Sequence, residues 1–145
     1  MSDLRRRAVS LLARREHTRA ELARKLASHG TTEEIDTVLN ELARTGLQSD
    51  ARFAASYIRC QATRLGAARL RQTLRAKGVA DELIDIGVGE LPDELARARA
   101  VWAKKYAAPP ADAREWAKQA RFLQGRGFSA VTIRKLLKDT GDMDA

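Results

Sequence analysis

The chain has 145 residues, enough for one ordinary domain or several small units, with 27 Lys and Arg against 19 Asp and Glu, a formal net charge of +8 and a pI near 10.2. Its apolar supply is mostly Ala and Leu, with only 5% aromatic residues, which suits close-packed helices better than sheets, because strands draw on β-branched and aromatic side chains. A single cysteine, Cys60, excludes an intrachain disulfide framework and fits a reducing cytoplasm, and the basic start Arg5–Arg6–Arg7 is followed by no apolar run of secretory or membrane-spanning length.

The predicted elements are helical throughout. Leu4, Ala8, Leu11 and Leu12 fall at helical spacing. Thr18 precedes Glu21 in a capping-box pattern, with Leu22 and Leu26 one turn apart behind it. Gly30 is predicted to stop this helix in the left-handed C′ conformation, and Thr32 to cap the next one, whose stripe is Ile35, Val38, Leu39 and Leu42 before Gly46. Asp50 is the expected cap of a helix carrying Phe53, Ala54, Tyr57 and Ile58. Gly66 breaks the chain, Ala67, Leu70 and Leu74 form a stripe that Gly78 ends, and Leu83, Ile84 and Ile86 make a short helix weakened by Gly87 and Gly89. Pro92 suits a first helical turn ahead of Leu95, Val101, Trp102 and Tyr106. Pro109–Pro110 forces a loop, Trp116, Ala120 and Leu123 follow, and Gly127–Phe128–Ser129 reads as a turn and cap before Val131, Ile133, Leu136 and Leu137. Thr140 to Ala145 is expected to fray.

A repeat underlies this series. Gly30, Gly78 and Gly127 lie 48 and 49 residues apart. Four residues before them stand Leu26, Leu74 and Leu123; eight before, Leu22, Leu70 and Gln119, where the third copy departs. Two after them stand Thr32, Ala80 and Ser129, and six after, Asp36, Ile84 and Ile133. The expected fold is therefore all-α: three tandem three-helix repeats, residues 1–49, 50–90 and 91–145 with a short C-terminal tail, forming an elongated, curved helical array.

Charge is unevenly placed. Arg52 to Lys77 contains seven basic residues and no acid, and Trp116 to Lys138 contains six and no acid, whereas Glu33, Glu34, Asp36 and Glu41, and Asp81, Glu82 and Asp85, cluster elsewhere. Arg64, Arg71 and Arg75 can share the helix face opposite Leu70 and Leu74, a row suited to phosphates or an acidic groove; the alternative is a merely solvated face. The candidate partner- or DNA-binding residues are Arg52, Arg59, Arg64, Arg69, Arg71, Arg75, Lys77, Lys118, Arg121, Arg126, Arg134 and Lys135. Residues 1–49 hold nine basic and seven acidic residues, so the first repeat suits a peripheral or protein-facing role.

Catalytic signatures are missing. The glycines match neither the P-loop nor the dinucleotide-binding pattern, and His17 and His29 lack metal-spaced partners. Asp139, Asp142 and Asp144 lack the closing Glu of a calcium loop. No catalytic residue, metal or cofactor is expected, and Cys60 is expected to pack as a small apolar side chain. The seven aromatic residues (Phe53, Tyr57, Trp102, Tyr106, Trp116, Phe122 and Phe128) fall mostly on apolar stripes, which predicts core packing and leaves any DNA binding electrostatic and sequence-blind.

Four segments resemble the RecX family of recombination regulators: Thr18–x–x–Glu21–Leu22–x–x–Lys25–Leu26–x–x–x–Gly30; Asp50–x–Arg52–Phe53–Ala54–x–x–Tyr57; Arg69–Leu70–Arg71–x–x–Leu74–x–x–Lys77–Gly78–Val79; and Arg121–Phe122–Leu123–x–x–Arg126–Gly127–Phe128–Ser129. Each is weak alone; in order they span nearly the whole chain. Members often carry an aromatic residue and a proline just before the second repeat's Arg–Leu/Ile–Arg, where this chain has Gly66–Ala67–Ala68, so the conformation of that turn stays open. The resemblance implies a cytoplasmic, non-enzymatic, monomeric modulator of the RecA recombinase, acting in DNA recombination, repair and the SOS response. It implies a protein that lies along the groove of the RecA–single-stranded DNA filament, touches single-stranded DNA weakly, and limits filament extension or promotes disassembly. A second reading takes Arg19–His29 and Glu33–Thr45 as a helix-turn-helix for general nucleic-acid binding, although the acids of the latter oppose entry into a groove. A third is an adaptor for an acidic protein.

Overall fold

Nine helices and no strand run through the described residues, which are 2–142 of the computed structural model, with side chains described as far as Lys138. They are α1 (Asp3–Arg14), α2 (Arg19–Leu26), α3 (Thr32–Arg44), α4 (Asp50–Gln61), α5 (Ala67–Ala76), α6 (Asp81–Gly89), α7 (Glu94–Lys105), α8 (Ala113–Gly125) and α9 (Ala130–Asp142). The last helix continues through Thr140 to Asp142, where a frayed tail is expected from sequence; Met143–Ala145 lie outside the described residues, as does Asp144 of the rejected calcium loop. No helix of the described residues is long and apolar enough to cross a membrane.

The first repeat closes on the predicted stripes. Leu4 and Ala8 of α1, Leu22 and Leu26 of α2, and Ile35, Val38, Leu39 and Leu42 of α3 form one buried cluster, flanked by half-buried Leu11 and Leu12. The capping box before α2 is complete: Glu21 N donates to Thr18 Oγ1 and Thr18 N donates to Glu21 Oε1, each at 3.0 Å. Three expectations shift. Thr31 rather than Thr32 caps α3, through a second capping box with Glu34. Gly30 is not left-handed; the positive-φ glycines are Gly46, Gly78 and Gly127. Ser49 caps α4, accepting from Arg52 N at 3.1 Å, while the expected cap, Asp50, accepts instead from Arg19 N at the start of α2 at 2.9 Å.

The first two shifts share a cause. From the repeat's buried leucine to the residue that precedes the next helix is five positions at Leu26–Thr31 but six at Leu74–Ala80 and Leu123–Ser129, and the shorter span is made without a left-handed C′ residue. Counted from the caps Thr31, Ala80 and Ser129, the position four residues on is Ile35, Ile84 and Ile133, exposed by 7%, 0% and 4%. The mismatch at Asp36 is thus a register slip of one residue. Gln119, the other departure, is buried where its counterparts are leucines, and its amide is satisfied: Trp102 Nε1 donates to Oε1 at 2.8 Å and Nε2 donates to Ala108 O at 3.3 Å, tying the Pro109–Pro110 loop down.

In the third repeat α9 packs against α7 and α8 around Ala98, Val101, Leu123, Phe128, Ile133, Leu136 and Leu137. Asp93, not Pro92, immediately precedes α7. Four residues placed in the core by spacing stand outside it: Ile86, Trp116 and Val131 are exposed, and so is Cys60, against its expected packing. They sit at the edges of their stripes, where helical spacing cannot separate a flank from a floor. By contact the chain divides into two compact units: the chain through Tyr57 with Leu74–Asp85, and Ile58–Thr73 with the chain from Ile86 onward. The middle repeat's buried residues are shared between them, Phe53, Ala54, Leu74, Val79 and Ile84 in the first and Ile58, Ala62 and Leu70 in the second.

Candidate functional site

The second compact unit gathers cations at a junction of helix ends. Gly66 N donates to Arg126 O at 2.7 Å and Ala68 N donates to Gly127 O at 3.2 Å, so the turn before α5 lies directly on the turn after α8. The approach demands two glycines. A Cβ on Gly66 would sit 2.4 Å from Gly127 O, and Gly127, at φ +95°, would press a Cβ into Arg69. This closes the question left by Gly66–Ala67–Ala68: the turn is held by backbone pairing.

Two residues one turn apart on α7 secure the same junction. Glu94 accepts from Ala67 N at 3.1 Å, Thr132 Oγ1 at 2.8 Å and Ser129 N at 3.4 Å, placing a carboxylate at the N-terminal ends of α5 and α9. Burial raises its pKa, but these hydrogen bonds outweigh burial and hold the carboxyl below the ordinary glutamate value. Arg97 donates through one guanidinium nitrogen to Ala62 O at 3.0 Å and Leu65 O at 2.8 Å, where α4 ends. Each charge thus meets helix ends of complementary polarity.

Around the joined turns opens a basin of 420 Å³, lined by Arg64, Arg69, Lys105, Arg121, Phe122 and Arg126, with no carboxylate lining it among the described residues. A neighbouring cleft of 240 Å³ shares Arg64, Lys105, Phe122 and Arg126 and adds Lys104. The ends of α7 and α8 supply Lys104, Lys105 and Arg126, and the negative ends of helix dipoles moderate the repulsion among them. Phe122 orders two of the cations: Lys105 Nζ lies 4.3 Å and Arg126 Cζ 5.2 Å from its ring centroid, and Tyr106 meets it edge-on at 5.7 Å. Arg69 donates to Gly125 O at 2.9 Å. The result is a cation-rich surface whose side chains are partly ordered by these contacts.

The other sequence candidates lie elsewhere. Arg52 hydrogen-bonds Glu16 Oε1 at 2.6 Å and the carbonyls of Gly46 and Leu47. Arg75 pairs with Asp81 at 2.8 Å, so the expected row Arg64–Arg71–Arg75 does not act as one unpaired face. Lys77 lies 3.6 Å from Glu21 and over the Phe53 ring. Arg59, Lys118 and Lys135 are exposed, Arg71 is half-buried, and Arg134 borders a shallow apolar cleft beside Trp116. Sequence reasoning passes over Lys104 and Lys105, because Asp112 and Glu115 interrupt the chain between them and the acid-free stretch; the doublet ending a helix was the available signal.

Three family models match in order: the first three-helix domain of RecX at residues 5–42, the second at 49–87 and the third at 92–137. The regulatory protein RecX of Leptothrix cholodnii is 49% identical over 138 residues, covering 94% of this chain and 88% of that protein. Its counterpart in Chromobacterium violaceum is 44% identical over 143 residues, covering 98% and 93%. The crystal structure of RecX from Lactobacillus salivarius superposes with a TM-score of 0.82 at 22% identity, over 95% of this chain and 94% of that one, which supports the fold. With nine helices among the described residues in the same three-repeat frame, and matches along nearly its whole length, the chain belongs to the RecX family of regulatory proteins.

Proposed function

We propose that this chain is a non-enzymatic, cytoplasmic inhibitor of the RecA recombinase that binds the RecA–single-stranded DNA filament as a monomer, without a cofactor, and limits its extension or promotes its disassembly. Its repeats are taken as 1–49, 50–90 and 91–145. The observation that carries the reading is the basin of Arg64, Arg69, Lys105, Arg121 and Arg126, whose lining includes no carboxylate to neutralise it among the described residues. Family membership supplies the regulatory role; the basin supplies a surface for the phosphates and acidic side chains that a nucleoprotein filament presents. Contact with single-stranded DNA is weak and sequence-independent, because cations on a basin read phosphate and not base edges.

The test is RecA's DNA-dependent ATP hydrolysis with substoichiometric protein. Hydrolysis falls with the native chain and recovers when Arg64→Glu is combined with Arg121→Glu. Both side chains are exposed, so the variant keeps its helical circular dichroism and melting temperature. No change in hydrolysis at any ratio of native protein defeats the reading, and undiminished inhibition by the folded variant removes the basin as the contact.

A further inference from the structure

The first repeat carries a cation-lined cleft at the position that corresponds to the third repeat's. Between α1 and α2 opens a cleft of 260 Å³ whose charged lining is Arg7, Arg14 and Lys25, with His29 beside them, over Leu11 and Leu26. Ala8 and Ala98, both fully buried, register α1 on α7, and Leu26 and Leu123 register α2 on α8. In that register Leu11 matches Val101, Arg14 matches Lys104, Lys25 matches Phe122 and His29 matches Arg126. All eight of these residues line one cleft or the other. The places on the repeat agree, and Arg14 and Lys104 keep a cation at one of them, while the other residue types differ. No carboxylate lines the first-repeat cleft among the described residues.

Helix dipoles account for Arg14 and Lys25, which stand in the last turns of α1 and α2. They do not account for Arg7, roughly 10 Å back along α1. Arg7 is held by Asp3 in an exposed pair at 3.1 Å, an interaction weak enough to yield to a ligand. Arg7 and Arg14 thus form a track along one helix, and Lys25 stands near the end of the other. Cations on both walls of a trough suit a linear polyanion better than a compact anion.

We infer that this first-repeat cleft is a second phosphodiester-binding site, engaging single-stranded nucleic acid by charge at a place equivalent to the cleft that adjoins the basin. The inference rests on the proposed contact of this chain with single-stranded DNA, but neither on the basin's share of it nor on any effect on the recombinase. It changes the part expected of the first repeat, from peripheral or protein-facing to a second point of attachment. Two weak attachments within one chain raise apparent affinity, because the second forms at the effective concentration set by the first.

The experiment is fluorescence anisotropy of a labelled single-stranded oligonucleotide titrated with the full chain at several salt concentrations, with no recombinase present. Each phosphate that the protein no longer neutralises lowers the slope of log affinity against log salt by about 0.7. Arg14→Gln with Lys25→Gln is expected to lower it by about 1.4 and to weaken binding on the order of tenfold at low salt. Because Lys25 Nζ lies 3.3 Å from His17 Nε2, Arg7→Gln with Arg14→Gln is the second variant, with the same expectation. Native slope and affinity in both folded variants overturn the inference, as does unchanged oligonucleotide binding together with abolished binding to poly-glutamate, which makes the cleft an acidic-peptide site. If instead the Arg64→Gln, Arg121→Gln variant alone keeps the native slope, the basin is refuted as the nucleic-acid contact and the first-repeat cleft stands.

Discussion

The two compact units are built from the same helical repeat, yet they treat charge differently. In the first, three cations of the acid-free stretch meet acids that arrive from elsewhere: Arg52 meets Glu16, Lys77 meets Glu21 and Arg75 meets Asp81. In the second, Arg64 and Arg69 of that same stretch join Lys105, Arg121 and Arg126 in a basin. An acid-free run in sequence is therefore not an unpaired surface in space. What decides is which distant residues the packing brings alongside. The acids that bridge helix ends differ too. Glu21 closes a local capping box and meets Arg15 and Lys77, whereas Glu94 ties together helices that are remote in sequence.

The largest test breaks either unit alike. Leu74, in the first unit, and Leu123, in the second, are both fully buried. Changing either to Ala should cost about 2–5 kcal/mol in urea unfolding. A loss below about 1 kcal/mol at either position would show that its surroundings collapse to fill the space.

A finer test separates the two glutamates. Glu94→Ala strands Ala67 N, Thr132 Oγ1 and Ser129 N and leaves Arg97 without its partner charge, a loss of about 2–4 kcal/mol. Glu21→Ala removes half of a capping box and two ion pairs, a loss of about 1–2 kcal/mol. Equal losses would erase the distinction drawn between the units.

The smallest effect is in pH. His17 is buried, with Nδ1 3.0 Å from Arg15 O and Nε2 3.3 Å from Lys25 Nζ. A carbonyl only accepts and an ammonium only donates, so the neutral ring with its proton on Nδ1 serves both partners. Burial, then the charges of Arg15 and Lys25, keep its pKa below 6.5. The unfolded chain then binds a proton that the folded chain refuses. Stability is whole above about pH 6.5 and declines as pH falls through the lowered folded value. Glu21 and Glu94, held below 4.5, add a second decline as pH falls through their folded values. Urea midpoints from about pH 8 to about pH 4 should show the first decline in native protein and not in His17→Gln. A flat native profile down to about pH 5 would mean that the imidazole accepts its proton without penalty.

Much of the fold was legible because helices are local. Stripes such as Ile35, Val38, Leu39 and Leu42, the Thr18 capping box, and the 48- and 49-residue spacing of the glycines are patterns within one or two turns, or the recurrence of such patterns. Those patterns determined nine helices in three repeats and, through the ordered motifs, the family. The tertiary structure decided what depends on proximity between distant residues. It paired Arg75 and Arg52, exposed Trp116 and Cys60, turned Asp50 from a cap of its own helix into an acceptor for Arg19, and brought Lys104 and Lys105 beside Arg64 and Arg126. Coulomb and hydrogen-bond energies act through a few ångströms of space, whatever the separation along the chain. The repeat could be read from sequence because each helix encodes its own period; the site could not, because it exists only where two turns, Gly66 and Gly127, meet.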